Sequence, residues 1–165
     1  MWMLGSSLFG AQLAAMIGMP YAFASHFAPD QLDAALKLYR EQFRPSQWLD
    51  RPHAMAAMTV IAADTDEEAV LLASSMDQSF VALRSGTPGR LQPPVPGYRQ
   101  SLPPSALAML EHMRQASAVG SPQTVREAIG RFVERTQADE LIVAGATFDP
   151  LARHRSLELT MQALA

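Results

Sequence analysis

The chain has 165 residues, 48% of them apolar and 18% charged, a formal net charge of −3 and no cysteine. That length is enough for one domain with a real core, and the missing cysteines exclude disulfides and thiolate metal sites. A mildly acidic chain whose single lysine is Lys37 offers neither a nucleic-acid surface nor a polybasic membrane patch.

Met1 to Leu4 is an apolar run without polar alternation, as expected of a strand covered on both faces. Gly5, Ser6 and Ser7 form a small polar turn, and Leu8 to Ile17 can then coil as a helix. Gly18 is placed to end that helix in the left-handed conformation, and Pro20 forbids its continuation. Tyr21 to Ser25 is a second short apolar run, bounded by His26. Asp30 can cap a helix over 31–43, with Leu32, Ala35, Leu36, Tyr39 and Phe43 on its apolar face.

The stretch from His53 to Asp64 mixes helix-forming Ala and Met with strand-forming Thr59, Val60 and Ile61. The capping box Thr65-x-x-Glu68 decides for a strand, because a helix starts immediately afterwards. That helix runs from Asp66 to about Arg84, with Ala69, Leu72, Ala73, Met76, Phe80 and Leu83 as its buried stripe. Residues 86–104 are rich in proline and read as a long surface insertion. A helix is expected over 105–118, closed by Gly120, with Leu107, Leu110, Met113 and Ser117 on one side. Ser121-Pro122 opens the next helix, serine at N-cap and proline at N1, with Val125, Ile129, Phe132 and Val133 inward. Glu140 to Ala144 reads as a buried strand. Asp149-Pro150 starts the last helix, with Leu157, Met161 and Leu164 facing inward.

Such alternation predicts an α/β fold of parallel strands joined by right-handed crossovers. The first turn is its most suggestive chemical feature. A helix N-terminus presents unsatisfied N–H groups and partial positive charge, which suits a phosphate. The simpler job for Ser7 or Ser6 there is to cap the helix. No Walker loop, nucleophile elbow or dinucleotide fingerprint is present, and the four histidines show no metal-ligand spacing. The N-terminal apolar run lacks a basic leader, and no apolar stretch reaches the ~20 residues that span a bilayer. The expectation is a cytoplasmic chain without membrane or nucleic-acid partners.

Three segments carry a family resemblance: MWMLGSSLFGAQLAAMIGMPYAFASHFAP, GSPQTVREAIGRF and ADELIVAGATFDPLARHRSLELTMQAL. In that order they resemble the luciferase-like flavin monooxygenases, relatives of bacterial luciferase, from their fifth barrel strand to their last helix. The resemblance implies half of a (β/α)8 TIM-type barrel, strands five to eight, as one domain over residues 1–165. It implies reduced flavin mononucleotide (FMN) as cofactor and, with dioxygen, oxidation of an aldehyde or another small organic substrate. Gly5, Ser6 and Ser7 stand where the family meets the flavin phosphate, with backbone N–H groups from Leu8 to Ala11 beside them. Gly10 stands where some relatives carry threonine, and Leu4 and Ser25 match positions flanking the flavin ring. His26, just past the second strand, is a substrate-side candidate, although it can equally bond a neighbouring carbonyl. His53 lies on the opposite rim and reads as structural. The family's usual catalytic histidine belongs to strands one to four, so no residue here is assigned as a catalyst. Implied partners are a second copy or a complementary N-terminal half-barrel, and a flavin reductase. The other reading is a non-catalytic flavin-binding or degenerate half-barrel that self-associates.

Overall fold

A computed structural model describes residues 1–165. Strands and helices alternate as β1 (Met3–Gly5), α1 (Leu8–Ile17), β2 (Tyr21–Phe23), α2 (Leu32–Gln42), β3 (Ala54–Ala62), α3 (Asp66–Arg84), α4 (Pro104–Met113), β4 (Ser117–Gly120), α5 (Pro122–Thr136), β5 (Glu140–Ala144) and α6 (Pro150–Leu164). The chain divides into two compact units, Met1–Met58 with Arg131–Val143, and Thr59–Gly130 with Ala144–Ala165. No helix is long and apolar enough to cross a membrane.

In the first unit β1, β2 and the start of β3 pair in parallel, with Leu4 opposite Ala22 and Ala22 opposite Met55. The carbonyl of His53 accepts from Tyr21, whereas that of Ala54 accepts from Asp139 at the entry to β5. Successive carbonyls along a strand point to opposite sides, so β2 and β5 flank β3 and the order is β1-β2-β3-β5. Tyr21 and Phe23 face the helices, where the Tyr21 ring lies 5.3 Å from that of Tyr39. The Tyr39 hydroxyl donates to the Met19 carbonyl at 2.8 Å. Ala11, Ala14 and Ala15 are fully buried, which lets α1 approach α2 closely. Gly18 ends α1 at φ 69°. A Cβ there would lie 2.4 Å from the Arg44 carbonyl oxygen, so space as well as backbone angle demands glycine.

In the second unit residues Thr59–Ala62 of β3 pair in parallel with β4. Thr65 caps α3 by accepting from the Glu68 N–H, as the capping box predicts. Asp149 accepts from the Leu151 N–H at the start of α6 in the same way. The Ser156 hydroxyl of α6 accepts from the N–H of Ala62 at 2.8 Å, and Arg155 pairs with Asp64 at 2.7 Å. Gly145 runs so close to β3 that a Cβ would stand 2.3 Å from the Val60 carbonyl oxygen.

Several expectations need correction. The helix expected over 105–118 stops at Met113, and a 3-10 turn then leads into β4. Ser117 to Gly120 has a free strand edge to pair with at the end of β3, and that pairing overrides the weak helical propensity. α2 begins after a 3-10 turn at Pro29–Gln31, and Asp30 lies inside that turn rather than capping the helix. α3 buries Ala69, Ala73, Ser74, Ser75 and Asp77, while Leu83 is exposed. β1 and β5 are exposed strands, with Leu4 69% and Ile142 43% accessible. α6 turns Ser156, Leu159, Thr160 and Ala163 inward and leaves Leu157, Met161 and Leu164 in solvent.

Asp77 explains why α3 buries a polar stripe. Its carboxylate accepts two bonds from Arg114, at 3.0 and 2.8 Å, and Arg99 stands 4.0 Å away and also pairs with Glu111. Burial holds the Asp77 carboxyl above the usual carboxylate range, against the opposing pull of the two guanidinium groups. Ser74 accepts from the Val95 N–H and Gln78 donates to the Pro93 carbonyl. The proline-rich segment is thus fastened along α3. Replacing Asp77 by alanine strands the Arg114 guanidinium and is expected to cost about 3 kcal/mol. Chemical denaturation measures the loss, and limited proteolysis should cut first within residues 86–104; unchanged protection there would contradict the fastening.

Candidate functional site

The β1–α1 turn leaves Ser6 and Ser7 exposed at the carboxyl end of β1. Ser7 occupies the N-cap position with extended backbone, φ −145° and ψ 164°, yet its hydroxyl makes no capping bond. The simpler role for this serine is therefore not taken up, and the first-turn N–H groups of Leu8, Phe9 and Gly10 have no acceptor within the helix. The Ser7 carbonyl accepts instead, from Ala11 N–H at 3.4 Å and from the Tyr21 hydroxyl at 3.2 Å.

Gly5 and Gly10 stand back to back. A Cβ on either would lie 3.5 Å from the other's Cα, and both would touch the Tyr21 ring. Gly10 therefore sits where the helix packs on its strand. Leu4 lies on the sheet face opposite Tyr21 and Phe23, open to solvent, and Leu8 is 41% accessible. Ser25 is fully buried and its hydroxyl donates to the Ala57 carbonyl, so its one proton is committed to β3. The His26 ring packs 4.0 Å from the Phe27 ring, and its Nδ1 is buried with no partner. Burial pushes its pKa below the usual histidine value, so the ring is neutral near pH 7. His53 behaves structurally: its Nε2 lies 2.7 Å from Glu140 and joins the starts of β3 and β5. No three acidic or histidine side chains are grouped to hold a metal ion.

Tyr21 is the residue bracing this turn that the pattern of the sequence does not announce, because a tyrosine in a short apolar run reads as core. The signal lay in what it faces: two glycines five residues apart, with room between strand and helix for a phenol to reach the turn. Burial pushes its pKa up from 10.0 to about 12. Because the folded value lies above the unfolded one, its stabilising contribution is complete below about pH 10 and disappears as pH rises through about 12. Tyr21→Phe should cost about 1 kcal/mol at neutral pH through the lost bond to Ser7. It should also lose less stability than the parent between pH 10 and 12, as read by denaturant midpoints. An identical alkaline decline in both proteins would remove Tyr21 from the account.

Parallel strands with helices between them, and an uncapped serine turn at a strand's carboxyl end, define an α/β protein of the barrel type whose first turn is suited to an anion. The comparisons carry this further: the chain belongs to the luciferase-like monooxygenase family, whose profile matches residues 1–140. It is 47% identical over 160 residues to a luciferase-like monooxygenase of Escherichia coli K12, covering 97% of this chain and 48% of that protein. It is 46% identical over 158 residues to the uncharacterized protein YvbT of Bacillus subtilis, covering 96% of this chain and 47% of that one. The chain thus spans about half the length of the curated relatives it matches. Among solved structures, apo-MsnO8 superposes with a TM-score of 0.82 at 26% identity, over 99% of this chain and half of the other. The oxygenating component of 3,6-diketocamphane monooxygenase from Pseudomonas putida, solved in complex with FMN, superposes at 0.61 with 23% identity, over 99% of this chain and 47% of its own. These neighbours are barrel enzymes, and the parallel fold seen here corresponds to half of such a barrel.

Proposed function

We propose that this chain forms the phosphate-binding, C-terminal half of an FMN-dependent monooxygenase that oxidises an aldehyde or another small organic substrate. The observation that carries the reading is the uncapped turn: a free serine hydroxyl and the first-turn N–H groups of α1 converge at the end of a barrel strand. A flavin phosphate fits that donor set, since each oxygen accepts from a hydroxyl or N–H without a side chain having to leave another partner. Leu4, on the open sheet face, would lie along the isoalloxazine ring. His26, neutral and with Nδ1 unpartnered, would face the substrate. Bound flavin supplies the redox chemistry, and the residues here anchor and orient it.

One observation favours a weaker, non-catalytic version. Residues 1–36 contain no lysine or arginine. A helix N-terminus carries roughly half a positive charge, which leaves most of a phosphate dianion uncompensated by this segment. The isolated chain should therefore bind FMN weakly.

Flavin fluorescence titration tests both versions, with riboflavin as the control that lacks the phosphate. FMN should bind more tightly than riboflavin. A Ser6→Ala/Ser7→Ala variant should lose about tenfold in FMN affinity, the worth of one charge-assisted hydrogen bond, and nothing for riboflavin. Equal affinities for the two flavins would reject the phosphate site. Binding without aldehyde-dependent oxidation of reduced FMN would leave the non-catalytic version standing.

A further inference from the structure

His26 follows β2 at the same rim as the serine turn. Gly5 lies opposite Phe23 in the sheet, and the Gly5 carbonyl accepts from the Ala24 N–H. The chain leaves these two adjacent strand ends through two turns, Ser6 and Ser7 after β1, and Ser25 to Phe27 after β2. The second turn is closed by its own backbone: the Phe23 carbonyl accepts from Ser25, and the Ala24 carbonyl accepts from Phe27 and Ala28. The buried Ser25 hydroxyl donates to the Ala57 carbonyl, which ties the turn to β3. The His26 ring lies against Phe27, and its Nδ1 is enclosed without a partner. The expected bond to a neighbouring carbonyl is therefore not made, and the Phe23 and Ala24 carbonyls are already engaged.

That enclosed atom decides which nitrogen carries the proton. A neutral imidazole has one N–H donor and one acceptor nitrogen. A proton on Nδ1 would be a buried donor with nothing to accept it, and orphaned buried N–H groups are rare and costly. On Nε2 the proton sits at the part of the ring that remains partly open. Charging the ring would put a proton on both nitrogens, in keeping with a pKa that burial lowers. A general base would need the opposite tautomer, with a carboxylate or carbonyl to hold the proton on Nδ1. No carboxylate lies between Pro20 and Pro29, and no carbonyl accepts from the ring. Residues of this chain alone enclose Nδ1, so the assignment does not depend on what covers the open side of the sheet.

We propose that His26 is a fixed hydrogen-bond donor, held as the Nε2–H tautomer, which takes a carbonyl oxygen of the ligand bound at this rim. A neutral donor suits a neutral acceptor better than it suits a phosphate or carboxylate, which gain most from charged partners. Carbonyl oxygens are what both components of the proposed reaction offer, the isoalloxazine ring and an aldehyde or ketone. The choice of ligand rests on the flavin reading; the tautomer does not.

Heteronuclear NMR of the isotope-labelled, flavin-free chain reads the tautomer directly. His26 should show an unprotonated Nδ1 and a protonated Nε2, and the reverse pattern would overturn the inference. Millimolar FMN and millimolar cyclohexanone are then added to separate samples. A shift of His26 Nε2 with FMN supports a ring carbonyl as the acceptor, and a shift with cyclohexanone supports a substrate carbonyl. No shift with either overturns the donor role. In the FMN sample the amides of Leu8, Phe9 and Gly10 report the phosphate separately. If they move and His26 moves with neither probe, the phosphate site stands and this inference falls; if His26 moves without them, this inference stands and the phosphate site falls. His26→Gln places an amide N–H where Nε2–H stands and should keep the affinity for the probe that moved the resonance. His26→Phe should lose about fivefold, the worth of one neutral hydrogen bond. Equal affinities in the two variants would overturn the proposal.

Discussion

A parallel strand is satisfied only when it has a neighbour on each side, and most of what this chain shows follows from which strands have two. β2 lies between β1 and β3 and all three of its residues are buried. β3 lies between β2 and β5, and eight of its nine residues are buried. β1 and β5 have one neighbour each, and their residues are only partly covered or are open. Parallel sheets occur almost always with both faces covered. The matched relatives are about twice as long as this chain.

Within the first unit, the core and the candidate site meet in one side chain. The Tyr21 ring is buried among Phe23 and Tyr39, and its hydroxyl emerges at the carbonyl of Ser7. The packing that stabilises the unit therefore also fixes the turn, at a backbone atom rather than at the serine side chain. Neither serine hydroxyl is engaged by this bond. Gly5 and Gly10 serve the same end, since their bare Cα atoms admit the phenol between strand and helix. A site that depends on exposed donors gains from being braced by a buried residue, because no ligand has to order it.

Much of this was legible in the sequence. The bounds of α3 and β5, the start of α6, the strand over β3, the capping box at Thr65 and the glycine stop at Gly18 follow from local chemistry, and the structure reproduces them. Burial was read less well. Leu4, Ile142, Leu157, Met161 and Leu164 carry the pattern of covered residues, yet they lie in solvent. Apolar periodicity reports that a face is meant to be covered, not what covers it, and a reader of one chain assigns the cover to that chain. β4 is not legible for another reason: Ser117 to Gly120 becomes a strand only because the end of β3 offers it a partner, and no local propensity encodes that. At the site, the serine turn was visible from its composition. The bond from Tyr21 was not, since it joins residues fourteen apart through packing.

Closing the sheet and completing the chemistry are different demands, and they need different things. Strand edges are recognised through backbone groups, which every residue carries, so covering them requires no particular side chain. A flavin phosphate and an oxidisable substrate are recognised by particular side chains in particular places. The segment through α1 brings serines and glycines to that task and no cation. Covering the edges of the sheet therefore does not by itself complete the flavin site.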